Sequence, residues 1–276
     1  MASSNATTGH AASGRDAGGL SAIVLAAGHG TRMRSDLPKV CHPVGGRPMV
    51  CAVVDACLDA GCERVVVVVG YKQELVREAL AEQAESGRVV FAVQDEQLGT
   101  GHAVGCAKGH YAGAGPGQHD ALVLCGDGPL IRAETVRAVV ERHRAKDAAA
   151  TLATAVLDDP SGYGRVVRDA SGRFERIVEE KNATEAELSI REVNPSYYCF
   201  DAAALFGALE RVGRDERSGE YYLTDVPALL LGSGARVEVI DAVPPEDVLS
   251  INTPEQLEAV DRVYRSRSSA ATGSTR

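Results

Sequence analysis

The sequence has no apolar run long enough to cross a membrane. A membrane-spanning helix needs about 20 consecutive apolar residues, and no segment of the 276-residue chain approaches that length. The N-terminal residues also lack the basic and then apolar order of a secretion signal. We therefore expect a soluble, cytoplasmic protein that has no membrane partner.

Excess positive charge and closely spaced cysteine pairs are missing as well. The chain has 29 Lys and Arg against 38 Asp and Glu, which gives a net charge of −9 and argues against nucleic acid or a charged membrane surface as partner.

The seven cysteines include no C-x-x-C motif, and most lie in apolar runs. We interpret them as free thiols in a reducing compartment rather than as disulfides or a zinc site.

What the sequence does contain is an alternation of apolar runs of strand length with segments of helical period. In the first half, predicted strands cover residues 22–27, 65–69, 89–93 and 121–125, and predicted helices cover residues 48–60, 72–84, 100–111 and 132–146. The strands are continuous apolar runs, which is typical of a sheet covered on both faces. The alternation predicts a doubly wound, parallel α/β sheet.

The second half of the sequence is richer in strands. Predicted strands cover residues 149–157, 164–168, 174–179, 191–200 and 236–240, and predicted helices cover residues 201–212, 222–231 and 254–264. We expect a mixed continuation of the sheet with a strand-rich insertion that forms a second lobe. The domain covers residues 20–264, and the small polar residues of 1–19 and 265–276 predict disordered tails.

A glycine-rich loop with a basic continuation follows the first predicted strand. Residues 25–33 read LAAGHGTRM, which is neither a Walker A loop nor a dinucleotide-binding fingerprint. The continuation carries four basic side chains and one acidic one: Arg32, Arg34, Lys39, Arg47 and Asp36. In a protein of negative net charge this pattern predicts a polyphosphate site, with a solvated basic turn as the alternative.

Two further loops follow predicted strands. Asp127 comes shortly after the strand that ends at residue 125, where a carboxylate beside phosphates suits Mg²⁺, although a helix cap or turn is an equal alternative. Gln94 opens the segment QDEQLGTGHA, and its amide could bind the edge of a base. The alternative is a polar loop that ends in a threonine cap, with His102 as a structural histidine.

Motifs along the chain resemble one enzyme family in their order. LAAGHGTRMRSDLPKV, QDEQLGTGHA, GDGPLI, DDPSGYGRVVR, IVEEKNATEAE, EYYLTDV and the Asn252 segment are similar to the nucleotidyltransferase half of bacterial N-acetylglucosamine-1-phosphate uridylyltransferases. The match covers nearly all of residues 21–264. The first motif marks only the broad superfamily of sugar-phosphate nucleotidyltransferases, whereas GTGHA and GYGR narrow the resemblance to the uridylyltransferase type.

The resemblance implies a Rossmann-like, doubly wound mixed sheet with a strand-rich sugar-binding lobe, UTP and a sugar 1-phosphate as substrates, and Mg²⁺ as cofactor. It implies catalytic phosphate binding by Arg32 and Lys39, and metal binding by Asp127 and Asn252. Sugar and ribose hydroxyls would contact Gly164, Glu179 and Asn194. The implied nucleotide-binding residues are Leu25, Ala26, Ala27, Gly28, Gln94, Gly99, Thr100 and Gly126.

The implied reaction is an in-line attack of the sugar phosphate on the α-phosphorus of the triphosphate. It needs no covalent intermediate, which agrees with a sequence that offers no nucleophile and base pair. The bifunctional relatives continue into an acetyltransferase domain that this sequence lacks, so we expect a separate enzyme to make the N-acetyl sugar phosphate. The oligomeric state stays open.

Two departures from the family pattern affect the prediction of which sugar 1-phosphate is the substrate. Cys125 stands where the family usually has tyrosine, and Asn194, Pro195 and Ser196 replace Asn-Thr-Gly. Proline donates no N–H and restricts the residue before it. Two alternatives therefore stay open: the same chemistry with another sugar 1-phosphate or with dTTP, and a catalytically silent regulator that binds nucleotide sugars.

Overall fold

The computed structural model of the chain describes residues 18–273, with side chains up to residue 268. The strands are β1 (Gly19–Ala26), β2 (Pro43–Val44), β3 (Arg47–Pro48), β4 (Arg64–Val69), β5 (Val89–Val93), β6 (His119–Cys125), β7 (Ala150–Val156), β8 (Gly164–Arg168), β9 (Phe174–Val178), β10 (Glu192–Asp201) and β11 (Val237–Asp241). The α-helices are α1 (Met49–Asp59), α2 (Gln73–Ala79), α3 (Ala81–Glu85), α4 (Thr100–Cys106), α5 (Ala133–Ala145), α6 (Glu185–Leu188), α7 (Ala202–Leu209), α8 (Val226–Gly232) and α9 (Pro254–Gly273).

The central sheet has the strand order β11-β7-β10-β6-β1-β4-β5. β1 pairs in parallel with β4 and β6, β4 pairs in parallel with β5, and β11 pairs in parallel with β7. β10 is antiparallel to both of its neighbours in this order. The fold is therefore a Rossmann-like, doubly wound mixed sheet, which confirms the predicted fold class.

The predicted strand-rich lobe is a small extension of this sheet. β8 and β9 form an antiparallel pair, and β8 also pairs with the first residues of β10, where Gly164 lies opposite Asn194. The pairing of β10 with β7 is irregular between Val193 and Tyr197. This irregularity lets one long strand belong to the central sheet at one end and to the lobe at the other.

The run of valines in β4 shows why both faces of the sheet are covered. Val65 to Val69 are all fully buried, and side chains alternate between the two faces of a strand. Val65, Val67 and Val69 therefore belong to the apolar layer that contains residues of α1 and α5. Val66 and Val68 belong to the opposite layer, which contains residues of α4, α7 and α8.

Three short elements, β2, β3 and α6, have no counterpart among the predicted ones. Gly45 and Gly46, at φ of 63° and 87°, form the turn between β2 and β3. Thr184 and Glu187 form a capping box at the start of α6, a Thr-x-x-Glu pattern that predicts a helix start even where no apolar period follows.

The first strand and the last helix extend beyond the predicted domain bounds of residues 20–264. The predicted N-terminal tail lies outside the described residues as far as residue 17, and β1 already includes Gly19. α9 continues to Gly273, through most of the residues whose composition predicted a C-terminal tail. Among the described residues, no helix combines the length and the apolar character that a membrane crossing requires.

Candidate active site

The site begins where the adjacent parallel strands β1 and β6 end. Leu25 of β1 lies beside Cys125 of β6, and Gly126 N–H donates a hydrogen bond to the Leu25 carbonyl at 2.9 Å. A side chain at Gly126 would place its Cβ only 2.9 Å from that carbonyl oxygen. Glycine therefore lets the two loops that follow these strands run close together, at the edge of the sheet where α/β proteins bind ligands.

Four predicted residues from distant parts of the chain meet in this place. The ammonium of Lys39 donates to the carboxylate of Asp127 and to Oδ1 of Asn252 at 2.6 Å. Arg32 donates to the same Asn252 oxygen at 2.8 Å. Asn252 ends the segment 247–252, called the asparagine loop below. The structure thus unites the predicted catalytic cations with the predicted metal ligands.

The position of Lys39 depends on Gly30. Gly30 has a φ of 71°, in the left-handed region that favours glycine. A Cβ at this position would lie 2.5 Å from Cβ of Lys39, so any other residue would push the lysine stem away. The second glycine of the Gly-x-Gly pattern is therefore required by packing against the lysine as well as by turn geometry.

The asparagine loop is held over the site by backbone contacts. The hydroxyls of Tyr163 and Tyr197 donate to the first two carbonyls of the loop, at 3.0 and 3.1 Å. Ile251 N–H donates to the carbonyl of Asp127 at 3.1 Å. The two segments that carry the predicted metal ligands are therefore joined directly through their backbones.

The donor set at this point fits a hard cation. Asp127 and Asn252 direct oxygen atoms at a single ammonium group, so the same oxygens lie close enough to share one Mg²⁺. The described residues contain no cluster of three His, Cys, Asp or Glu suited to a metal. Mg²⁺ usually keeps several waters and binds through one or two protein oxygens together with substrate phosphates, which agrees with this sparse set.

A cavity of about 180 Å³ adjoins the cluster and is called the site cavity here. The three predicted sugar-binding residues line it together with members of the cluster: Gly164, Glu179, Asn194, Arg32, Asp127 and Asn252. Three larger clefts in the described part of the chain, of about 550, 560 and 650 Å³, are lined by none of the predicted site residues. Of these four clefts in the described part of the chain, only the site cavity is lined by predicted site residues.

Two predicted sugar-binding side chains, the buried Asn194 and the half-buried Glu179, are oriented by neighbours. Asn194 is 5% exposed, donates to the hydroxyl of Tyr198 at 2.6 Å and accepts from Ser196 N–H at 3.2 Å. Glu179 accepts from the Thr224 hydroxyl at 2.8 Å. Burial raises the pKa of Glu179 above its usual value, although the hydrogen bond from Thr224 opposes this shift.

Both departures from the family pattern lie in the same cavity. Cys125, Pro195 and Ser196 all line it. Burial raises the pKa of the Cys125 thiol to about 12, so the thiol is neutral near pH 7 and is a poor nucleophile. Ser196 has a φ of 65°, which is uncommon for a residue other than glycine and strains the backbone.

The predicted nucleotide-binding residues at the end of β1 and in the loop after it differ in their exposure to solvent. Ala26 and Ala27 are buried in the core, so only their backbone atoms can contact a ligand. Gly28 is exposed, and a Cβ there would have no neighbour within 4 Å. Leu25 lines a second cavity of about 40 Å³ next to the site cavity.

The predicted base-binding loop is fixed by contacts with its own chain. Gln94 is 3% exposed, and its amide nitrogen lies 3.2 Å from the Gly99 carbonyl oxygen and 3.0 Å from Nδ1 of His102. Thr100 accepts a hydrogen bond from Leu223 N–H at 3.0 Å, and therefore does not cap α4. The His102 ring thus helps to orient Gln94.

Sequence reasoning missed the residues that orient the others. Tyr163, Tyr197 and Thr224 contact backbone or side chains that are 85, 50 and 45 residues away. Such contacts leave no local pattern in the sequence. The interpretation of His102 as a structural histidine agrees with its contact with Gln94.

Comparison with known proteins matches the sequence to a family of NTP transferase domains. The sequence profile of the MobA-like NTP transferase domain matches residues 22–223. The Bifunctional protein GlmU of Geobacter metallireducens is 47% identical over 250 residues, which is 91% of this chain and 51% of that protein. The proteins of the same name from Geobacter sulfurreducens and a Geobacillus species are 47% and 46% identical over 248 residues each, 90% and 89% of this chain and 51% and 52% of theirs. The chain spans about half the length of the curated relatives it matches.

Proposed function

The chain belongs to the family of MobA-like NTP transferase domains, and from this membership we propose that it is a Mg²⁺-dependent sugar-1-phosphate uridylyltransferase. The proposed reaction joins UTP and N-acetylglucosamine 1-phosphate into UDP-N-acetylglucosamine and releases pyrophosphate in the cytoplasm. The similarity to proteins named GlmU supports the choice of substrates. The observation that carries the proposal is the cluster of Arg32, Lys39, Asp127 and Asn252 beside the site cavity.

The proposed step is a displacement at the α-phosphorus of UTP. A phosphate oxygen of the sugar 1-phosphate forms the new P–O bond, the bond to the bridging oxygen of the β-phosphate breaks, and pyrophosphate leaves with the electron pair. Arg32 and Lys39 bind the phosphates and stabilise the charge of the transition state. A bound Mg²⁺ supplies further neutralisation of phosphate charge, and Asp127 and Asn252 are the residues that would hold it.

The ammonium of Lys39 has two roles in this proposal. In the structure it neutralises the Asp127 carboxylate and lies between the two oxygen donors. Asp127 and Asn252 would hold a metal through these oxygens, and the ammonium would then bind the phosphates. The chain needs no nucleophile of its own, in agreement with the neutral Cys125 thiol.

Separate sets of residues are proposed to bind the nucleotide and the sugar. Gln94, with Gly99 and Thr100, is proposed to bind the uracil, and Leu25 to Gly28 together with Gly126 the rest of the nucleotide. Gly164, Glu179 and Asn194 are proposed to bind sugar and ribose hydroxyls. Their support is the site cavity, which all three line.

A different sugar 1-phosphate, or dTTP, is the second candidate. The observation that favours it is the presence of Cys125, Pro195 and Ser196 in the lining of the site cavity, where they alter the surface that a sugar would contact. A silent regulator is not favoured, because the phosphate and metal residues are all present and meet in one cluster.

The proposal is tested by pyrophosphate release with UTP or dTTP, Mg²⁺ and a panel of sugar 1-phosphates. We expect the fastest release with UTP and N-acetylglucosamine 1-phosphate. Release only with glucose 1-phosphate, or only with dTTP, would replace the proposed substrates by the second candidate. Absence of release across the panel would contradict the proposed chemistry.

A further inference from the structure

A buried carboxylate beside the site has no role in the chemistry proposed above. Asp247 is the first residue of the asparagine loop and is fully buried, with 0% exposure. Two guanidinium groups pair with it: Nε of Arg132 at 2.7 Å and Nη2 of Arg267 at 2.5 Å. A buried carboxylate needs such partners because its desolvation is costly. This ion pair fixes the start of the loop.

Arg267 also contacts the other ligand-bearing segment. Its Nη1 donates to the carbonyl of Leu130 at 3.2 Å, and Leu130 comes three residues after Asp127. One guanidinium on α9 therefore contacts both the segment that carries Asp127 and the loop that carries Asn252. These two contacts of the guanidinium are with Asp247 and Leu130 and not with the proposed metal ligands themselves.

The loop transmits the position of Asp247 to Asn252 over a short distance. Only four residues lie between the two. The backbone between them is attached at Asp247, whose carbonyl accepts from Tyr197, and at Ile251, whose N–H donates to Asp127. A change in the anchor at one end therefore alters the separation of the two oxygen donors at the other.

From these contacts we infer that Arg267, acting through Asp247 and Leu130, is a positioning residue that sets the distance between the metal-binding oxygens of Asp127 and Asn252. Through this distance, the Arg267 side chain controls the affinity of the site for a divalent cation. The inference rests on the proposed function, because it assumes that these two oxygens bind the cation. Partners behind metal ligands commonly change metal affinity by about 10- to 100-fold when removed.

The test compares Arg267→Met with a matched control on the same helix. Arg265 is exposed and pairs with Asp261 of the same helix at 2.7 Å, so Arg265→Met removes an arginine of α9 together with an ion pair within that helix. Mn²⁺ binding is titrated in the presence of UTP, and amide hydrogen exchange at Ile251 is measured in metal-free protein. For Arg267→Met we expect Mn²⁺ affinity to fall about tenfold and exchange at Ile251 to accelerate, with neither change in the control.

A conservative variant separates positioning from folding. Arg267→Lys keeps a charge for Asp247 but cannot hold Asp247 and Leu130 with one planar group, so we expect an intermediate Mn²⁺ affinity and a native unfolding temperature. Faster exchange with unchanged Mn²⁺ affinity would overturn the inference, as would equal effects of Arg265→Met. Failure of the proposed function is distinguishable, because the wild-type protein itself would then release no pyrophosphate.

Discussion

At the scale of single residues, the site combines polar side chains with one strained backbone position. Ser196 lines the site cavity, and its φ of 65° is a conformation that glycine adopts without cost. The resemblance indicates glycine as the usual residue at this position. The serine hydroxyl is therefore held in the cavity at the expense of stability.

This strain predicts the effect of replacing Ser196. We expect Ser196→Gly to raise the free energy of unfolding by about 1 kcal/mol, since relief of left-handed strain outweighs the greater freedom of glycine in the unfolded chain. Urea denaturation measures the difference. Ser196→Ala keeps the strain and removes only the hydroxyl, so it serves as the control. A less stable glycine variant would show that contacts of the hydroxyl outweigh the strain.

Glu179 gives a pH-dependent prediction. Burial raises its pKa in the folded protein, so the folded state favours the protonated form and loses stability as the pH rises through that pKa. Glu179→Gln removes this loss and keeps an oxygen to accept from Thr224. We expect the variant to gain stability relative to the wild type between pH 4 and pH 7, as followed by urea denaturation at both pH values. A constant difference between the two proteins would contradict the assigned shift.

At the scale of elements, the pattern of apolar residues predicts the main strands and helices. The valine run of β4 and the other apolar runs predicted the main strands, because burial on both faces leaves a continuous signal. β2, β3 and α6 were missed because each is too short for a period. The helical continuation of α9 was also missed, since its small polar residues resemble a tail while Arg267 attaches it to the buried Asp247.

The start of α4 provides a test at this scale. Gly99 has a φ of 99°, and a Cβ there would lie 2.6 Å from the carbonyl oxygen of Tyr221. We expect Gly99→Ala to destabilise the protein by about 2 kcal/mol and to loosen Gln94, which contacts the Gly99 carbonyl. The measurement is urea denaturation.

Gly105 is the matched control within the same helix, because a Cβ there meets no atom within 4 Å. Gly105→Ala should instead stabilise the protein by about 0.5–1 kcal/mol through better helix propensity. Equal effects of the two substitutions would show that the contact with Tyr221 does not restrict residue 99.

At the scale of the whole molecule, the site is a product of sheet topology. Arg32 and Asn252 are 220 positions apart, and they meet because β1 and β6 are neighbours and because the asparagine loop is attached to Asp127. Motifs predicted which residues take part, but neither the pairing of Lys39 with Asp127 and Asn252 nor the buried Asp247 could be predicted. The pairing of Lys39 depends on the loops that follow β1 and β6 and on the asparagine loop, and the burial of Asp247 depends on its pairs with Arg132 and Arg267.

The most direct test of nucleotidyl transfer follows the α-phosphate of UTP. Protein is incubated with UTP labelled at the α-phosphorus, N-acetylglucosamine 1-phosphate and Mg²⁺, and the labelled products are separated. We predict label in UDP-N-acetylglucosamine with the wild type, and a rate about 10²- to 10³-fold lower with Lys39→Met. Lys108→Met, which removes an exposed partner of Glu210, should leave the rate unchanged. Label that remains in UTP or appears only as UMP would contradict nucleotidyl transfer at this site.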